Sequence, residues 1–202
     1  MPPKFIARQL SCPSGFLGRI IRRRMNSHNA DLNAFVIKLL DVRSTDRVLE
    51  IGFGGGLNLP ILVSSAASFT GLDLSVDSVR HAQKKFSKDV AERRASFCTG
   101  DVKDLPFPSE SFDKVCTANT IYFWNSLEAG FTEIHRVLSP GGTLVVGFMP
   151  KEFMDKEGMP SDIFTLRTPE EVRSALSSAG FSEISTERLG SNGRWVAIVA
   201  TR

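Results

Sequence analysis

From residue 46 onward, short apolar runs alternate with longer segments whose apolar residues recur at helical spacing. The short runs cover residues 47–51, 68–73, 95–99, 112–118 and 143–148. Apolar runs of this length that end at glycine, proline or aspartate are typical of buried strands. Because strands that alternate with helices build a parallel sheet covered by those helices, the pattern predicts an α/β fold.

The segments between these runs carry start and stop signals for helices. Four helices are predicted: one ending near residue 65, and others over about 75–90, 127–138 and 169–180. Two further apolar runs, 182–188 and 195–201, flank the turn-forming residues 190–193, which indicates a hairpin. Since hairpin strands are antiparallel, one strand of the sheet must run against the others.

The first 42 residues do not follow this alternation. Residues 29–40 are expected to form a helix that packs its apolar side chains on the domain. The sequence therefore predicts an N-terminal helical cap segment over residues 1–42 and a single domain over residues 43–202.

Composition and charge narrow the possible partners. The chain of 202 residues has a net charge of only +3, which does not provide the concentrated basic surface of a nucleic-acid binder. No apolar run is long enough to span a membrane, and no signal peptide is recognised. Three unevenly spaced cysteines predict neither a metal site nor a disulfide framework. Because free thiols fit a reducing compartment, we expect a cytoplasmic protein. We expect it to be a monomer or a homodimer.

The first apolar run leads directly into a glycine loop that opens a helix. Glycines stand at Gly52, Gly54 and Gly56, whereas a dinucleotide fingerprint needs its third glycine at the position of Leu57. Glu50, two residues before the first glycine, would repel a diphosphate but attract an ammonium group. The loop therefore favours a nucleotide-like ligand with a cationic end over a dinucleotide.

The E-x-G-x-G-x-G spacing from Glu50 to Gly56 resembles the first motif of class I S-adenosylmethionine-dependent methyltransferases, in particular their small-molecule, UbiE-like members. Four further matches follow in order, at residues 71–75, 100–102, 105–115 and 135–142. The resemblance covers roughly residues 30–202. It implies a Rossmann-like fold with a seven-stranded, mostly parallel sheet, an antiparallel last strand and helices on both faces.

The resemblance also implies S-adenosyl-L-methionine as the cofactor and assigns residues to it. Asp73 is placed like the acid that binds both ribose hydroxyls, and Asp101 like the acid that accepts from the adenine amino group. The complete predicted set is Glu50, Gly52, Phe53, Gly54, Gly56, Asp73, Leu74, Asp101, Val102 and Asn119.

The acceptor is expected to bind after the fourth strand. Methyltransferases acting on adenine or cytosine carry an NPPY-type sequence there, but here Thr-Ile separates Asn119 from Tyr122, which disfavours a nucleobase. Tyr122 and His28 are the predicted catalytic residues. The rings of Phe123 and Trp124 either contact the acceptor through cation–π attraction or pack a helix on the sheet.

These features predict transfer of a methyl group from S-adenosylmethionine to a small organic acceptor, through oxygen, nitrogen or carbon, by in-line displacement. Two alternatives are an NAD(P)-dependent reductase and a non-catalytic methyltransferase-like binding module. The glycine spacing opposes the reductase, as does Ser126, which stands where a short-chain dehydrogenase has lysine after its tyrosine. The intact cofactor motifs oppose the binding module.

Overall fold

The computed structural model describes residues 29–160, 162–190 and 193–202. Its helices are α1 (Ala30–Leu40), α2 (Leu59–Ser65), α3 (Val76–Lys85), α4 (Ser87–Ala91), α5 (Leu127–Val137), α6 (Lys151–Lys156) and α7 (Pro169–Ser178). Its strands are β1 (Arg47–Ile51), β2 (Ser68–Asp73), β3 (Ala95–Thr99), β4 (Phe112–Ala118), β5 (Leu138–Phe148), β6 (Ser182–Leu189) and β7 (Trp195–Thr201).

The seven strands form one sheet in the order β3-β2-β1-β4-β5-β7-β6. Strands β1 to β5 pair in parallel, and β7 is antiparallel to both of its neighbours. The chain moves one way from β1 to β2 and the other way from β4 to β5, so right-handed crossovers put helices on both faces. The predicted Rossmann-like fold is confirmed, and the order reverses between β1 and β4, where α/β proteins bind ligands.

Strand β5 is longer than the sequence indicated. The predicted strand began at Thr143, but the observed strand begins at Leu138, which pairs with Phe112. Thr143 then pairs with Lys114, so the Pro-Gly-Gly segment lies in an irregularity of the ladder. The stop signal therefore ends helix α5 as predicted, but the chain pairs with β4 both before and after the Pro-Gly-Gly segment.

The predicted helix over residues 75–90 is divided in two. Helix α3 ends at Lys85, and Phe86 adopts a non-helical backbone with φ of −107° before α4 begins. The Phe86 ring is buried and lies 5.8 Å from the ring of Phe97 on β3. The ring therefore extends the buried face of α3, formed by Val79 and Ala82, across the break and onto β3.

Helix α1 is anchored on the sheet by one apolar face. Leu32, Val36 and Leu40 are completely buried, and the helix packs on β4, β5 and β7. The contact with β5 is close because Gly147 has no side chain: a Cβ there would lie 2.4 Å from Val36 Cγ2. This packing holds the start of α1 beside the carboxyl ends of β1 and β4.

Through residues 29–160, 162–190 and 193–202, the helices all fall short of the length and apolar character that crossing a bilayer requires.

Candidate cofactor and acceptor site

A cavity of about 280 Å³ opens at the carboxyl edge of the sheet, where β1, β2, β3 and β4 end. Its lining includes nine of the ten residues predicted to bind the cofactor: Glu50, Gly52, Phe53, Gly54, Asp73, Leu74, Asp101, Val102 and Asn119. The three acids come from the ends of β1, β2 and β3, or from just beyond them. The structure thus brings distant parts of the sequence together around one cavity.

Gly56 is the predicted cofactor residue that is not part of this lining. It has a φ of +70°, and a Cβ there would lie 2.8 Å from Leu59 Cδ1. Its N–H donates to the Phe53 carbonyl at 2.7 Å, which closes the loop into α2. Gly56 therefore shapes the turn, and Gly55 faces the cavity instead.

Gly52 and Gly54 are each required in the loop for a different physical reason. Both have positive φ, +73° at Gly52 and +48° at Gly54. A Cβ at Gly52 would lie 2.4 Å from Thr120 Cγ2, whereas one at Gly54 would meet no atom within 4 Å. Gly52 lets the loop approach β4, and Gly54 leaves open space where a ligand can approach the backbone.

Asp73 joins the glycine loop to the end of β2. Its Oδ2 accepts from the Gly54 N–H at 2.7 Å, and its Oδ1 accepts from the Ser75 N–H at 2.8 Å. These two bonds fix the orientation of the carboxylate relative to the loop. Its place in the lining suits recognition of two adjacent hydroxyls.

Glu50 is the most perturbed acid of the cavity. Its side chain is buried, and its pKa is raised from 4.5 to about 7, mainly by burial and to a lesser extent by the charge of Asp73. Oε1 accepts from Asn58 Nδ2 at 2.7 Å, a bond that opposes the increase. Oε2 is buried and has no hydrogen-bond partner within the described parts of the chain, so it suits a ligand that brings a cationic donor.

Asp101 lies at a more open part of the cavity. Its side chain is 39% exposed and forms an ion pair with Lys103, with 3.2 Å between Oδ2 and Nζ. The next residue, Val102, is buried and lines the same cavity. Asp101 and Val102 together offer a carboxylate acceptor beside an apolar side chain, and this combination fits the amino group and the ring of a purine.

The wall opposite the glycine loop is formed by the segment after β4. Asn119 has a φ of +57°, and its N–H donates to the Gly147 carbonyl at 2.8 Å. Phe123 and Trp124 line the cavity, and the Trp124 ring also packs 5.4 Å from that of Phe131. Trp124 therefore belongs both to the cavity wall and to the core, and contact of either ring with the acceptor stays a prediction.

Comparison with known proteins identifies the family. A family model described as "Methyltransferase domain" matches residues 49–146, which run from within β1 through the glycine loop and into β5. These residues form a class I S-adenosylmethionine-dependent methyltransferase domain. The nine predicted cofactor residues in the cavity are consistent with this assignment.

Two curated methyltransferases illustrate the similarity. The uncharacterized methyltransferase YdaC of Bacillus subtilis is 28% identical over 130 residues, covering 63% of this chain and 70% of the relative. Fatty-acid O-methyltransferase of Mycolicibacterium smegmatis is 32% identical over 124 residues, covering 57% of this chain and 44% of the relative. The chain thus spans less than half the length of the second relative.

A solved structure that aligns over the full length of the chain has the same fold. It belongs to the complex between the Haloferax volcanii Trm112 methyltransferase activator and a methyltransferase, and it superposes with a TM-score of 0.81 at 21% identity. The alignment covers 100% of this chain and 98% of the other. This similarity supports the fold.

The structure corrects the predicted position of Tyr122 in this methyltransferase. Its side chain is buried outside the cavity lining, and its hydroxyl accepts from the Met149 N–H. The same hydroxyl can donate to the Met149 carbonyl at 3.2 Å or to Asn119 Oδ1 at 3.1 Å. Burial also raises the pKa of Tyr122 well above its usual range, so the hydroxyl stays neutral and supports the wall from behind. His28, the other predicted catalytic residue, lies outside the described residues.

The sequence prediction missed the amides that α1 and the glycine loop bring to the methyltransferase cavity. Asn29 and Asn33 line it, and Asn58 lies behind Glu50. The spacing of Asn29 and Asn33 was a usable signal, because residues four apart share one helix face. Their target on the glycine loop depends on how α1 docks, which local sequence does not specify.

Proposed function

We propose that this protein transfers the methyl group of S-adenosyl-L-methionine to a small organic acceptor, through oxygen, nitrogen or carbon, by in-line displacement. The observation that carries the proposal is the buried Oε2 of Glu50, which has no hydrogen-bond partner among the described residues and lies in a cavity also lined by Asp73 and Asp101. A cationic amino-acid end, a ribose and a purine together match these three acids. A diphosphate beside the glycine loop would be repelled by the carboxylate of Glu50.

Each part of the cavity then has a defined task. Glu50 attracts the cationic end of the cofactor, Asp73 accepts from the ribose hydroxyls, and Asp101 accepts from the adenine amino group. When bound, the cofactor supplies a methyl group activated by a positive sulfur. The surrounding residues exclude water and hold the acceptor in line with that methyl group, which is the main requirement for this displacement.

The acceptor side favours an apolar or cationic molecule. Phe123 and Trp124 present aromatic surface to the cavity, and Ala118 and Ala129 add small apolar contacts. The name of the fatty-acid O-methyltransferase among the relatives also supports testing apolar acceptors first. For acceptors that must lose a proton, His28 is our proposed base, since the Tyr122 hydroxyl is held by Met149.

Titration calorimetry tests the cofactor assignment. We expect S-adenosylhomocysteine to bind and NAD not to bind; binding of NAD with no response to S-adenosylhomocysteine would overturn the proposal. Formation of S-adenosylhomocysteine from S-adenosylmethionine then reports turnover in a screen of fatty acids, hydroquinones and amines. Cofactor binding without turnover across a broad acceptor set would favour a non-catalytic binding module.

The proposal also takes residues 1–42 as a cap over the acceptor end, in a cytoplasmic monomer or homodimer. Removing residues 1–28 should then reduce turnover much more than S-adenosylhomocysteine binding, and light scattering should give one or two copies. An equal reduction of turnover and of S-adenosylhomocysteine binding would indicate that these residues contact the cofactor instead.

A further inference from the structure

A chain of amide hydrogen bonds runs from helix α1 to the buried carboxylate. Asn33 Nδ2 donates to the Asn29 carbonyl at 2.8 Å, which leaves Asn33 Oδ1 as an acceptor. Asn58 Nδ2 donates to that oxygen at 2.7 Å and to Glu50 Oε1, also at 2.7 Å. The NH₂ group of Asn58 thus uses both of its hydrogens, one on each side.

This arrangement fixes the direction of every dipole in the chain. The backbone carbonyl of Asn29 can only accept, so it determines which end of the Asn33 amide faces Asn58. Asn33 in turn determines which end of the Asn58 amide faces Glu50. If the Asn58 amide were reversed, its oxygen would face the carboxylate, which is repulsive when Glu50 is ionised.

We propose that Asn33 and Asn58 are positioning residues that hold Glu50 with its unpartnered oxygen available to the cationic end of the cofactor. The inference rests on the proposed function, and it adds that helix α1 helps to set cofactor affinity. Neither asparagine needs to touch the reacting atoms. Asn58 is not part of the cavity lining and acts through the carboxylate.

The surroundings of Glu50 disfavour its ionised form, so a hydrogen-bond donor such as Asn58 is needed to stabilise the carboxylate. Asp73, from the adjacent end of β2, raises the pKa of Glu50, as burial does. Cys116, on the neighbouring strand β4, has its own pKa raised well above its usual range by burial and by the charge of Glu50, so it stays a neutral thiol. The Asn58 hydrogen bond is the contribution that favours the ionised carboxylate.

The test measures the ionisation of Glu50 directly in the ligand-free protein. Carbon-13 NMR of the glutamate carboxyl groups follows the titration, and Glu50→Gln identifies the Glu50 signal. We expect the midpoint to move to higher pH in Asn58→Leu, to move less in Asn33→Leu, and to stay unchanged in Asp31→Asn. Asp31→Asn is the matched control because Asp31 is an exposed residue on the same helix.

Calorimetry with S-adenosylhomocysteine gives a second readout. Asn58→Leu should weaken binding by about tenfold at pH 7, and the difference from wild type should narrow as the pH rises and Glu50 ionises in both proteins. A purely structural role would weaken binding equally at every pH.

The outcomes separate this inference from the function on which it rests. An unchanged Glu50 midpoint in both leucine variants would overturn the positioning role. If wild-type protein does not bind S-adenosylhomocysteine, the proposed function fails, while the ligand-free titration still decides whether the amides control Glu50. Asn33 is only half-buried, so Asn33→Leu keeps the test available if Asn58→Leu does not fold.

Discussion

The two walls of the cavity are built by different means. The proposed cofactor wall, residues 50–55 with Asp73 and Asp101, depends on backbone conformation and on acids at strand ends. The acceptor wall, residues 118–126, depends on how side chains pack against other elements, as Tyr122 does against Met149. The first kind of wall is determined within a few residues of sequence, whereas the second requires the complete fold. Substitutions that act on one wall alone sharpen this comparison.

The largest effect is expected at the point where the walls touch. Gly52→Ala should lower the free energy of unfolding by about 2–4 kcal/mol, since it adds a clash with Thr120 to the strain of a positive φ. Chemical denaturation measures this loss. Gly54→Ala is the matched control: it has positive φ but open space, so it should cost about 1 kcal/mol of stability and mainly weaken cofactor binding. Adding Thr120→Ser, which removes Cγ2, should recover part of the loss; no recovery would locate the strain elsewhere.

Glu50→Gln should separate stability from binding. The pKa of Glu50 is raised from 4.5 to about 7, so the folded state binds its proton more tightly than the unfolded state does. Stability therefore falls as the pH rises from 4.5 to 7, and the full penalty is present above 7. At pH 8, Glu50→Gln should be more stable than wild type by about 2–3 kcal/mol, yet should bind S-adenosylhomocysteine more weakly. Thermal unfolding at pH 5 and pH 8 checks the sign; a constant difference would refute the linkage.

Asp73→Ala should weaken S-adenosylhomocysteine binding by about 1–3 kcal/mol, because it leaves ligand hydroxyls and the Gly54 N–H without their acceptor. Asp101→Ala is the comparison within the same wall. That carboxylate is partly exposed and already paired with Lys103, so its loss should cost less than 1 kcal/mol. Calorimetry on both variants checks the order. Equal effects would mean that the ribose and adenine assignments are interchanged or wrong.

Tyr122→Phe tests the acceptor wall and should have little effect on turnover. Losing the hydroxyl should cost about 1 kcal/mol of stability, because the Met149 N–H loses its acceptor. Turnover should fall by less than tenfold with an unchanged pH profile, once an acceptor is known. A loss of a hundredfold or more would restore Tyr122 as a catalytic acid or base.

Sequence alone was informative wherever local spacing carries the physical cause. The starts and ends of β1 to β4 were predicted correctly, because each apolar run ends at a residue that leaves the sheet. The end of α3 at Lys85 was not predicted, since no glycine or proline marks it and the residues that follow form a second short helix. The same distinction applies to the cavity: the glycine spacing located the loop, but only the fold shows that Gly55 faces the ligand side and Gly56 does not.

The acceptor wall and the amide chain were least predictable. Tyr122 was expected at the acceptor because it follows β4, yet its hydroxyl turns toward the backbone at the end of β5. Asn33 meets Asn58 only because Val36 packs against Gly147, a contact between residues far apart in the sequence. Periodicity predicts that α1 has a buried face, but it does not predict which elements the edge of that face, where Asn33 lies, will contact.

The place of β7 between β5 and β6 sets an order in which the sheet can assemble. β6 and β7 follow each other in sequence and pair antiparallel, so their hairpin forms at a small loop-closure cost. β5 gains its second neighbour only when that hairpin docks through β7. Since α1 packs on β4, β5 and β7, the surface on which it packs is complete only after this docking. We therefore expect the side of the cavity lined by Asn29 and Asn33 to form late in folding. Its formation would depend on β6 and β7, whose described residues are not part of the lining.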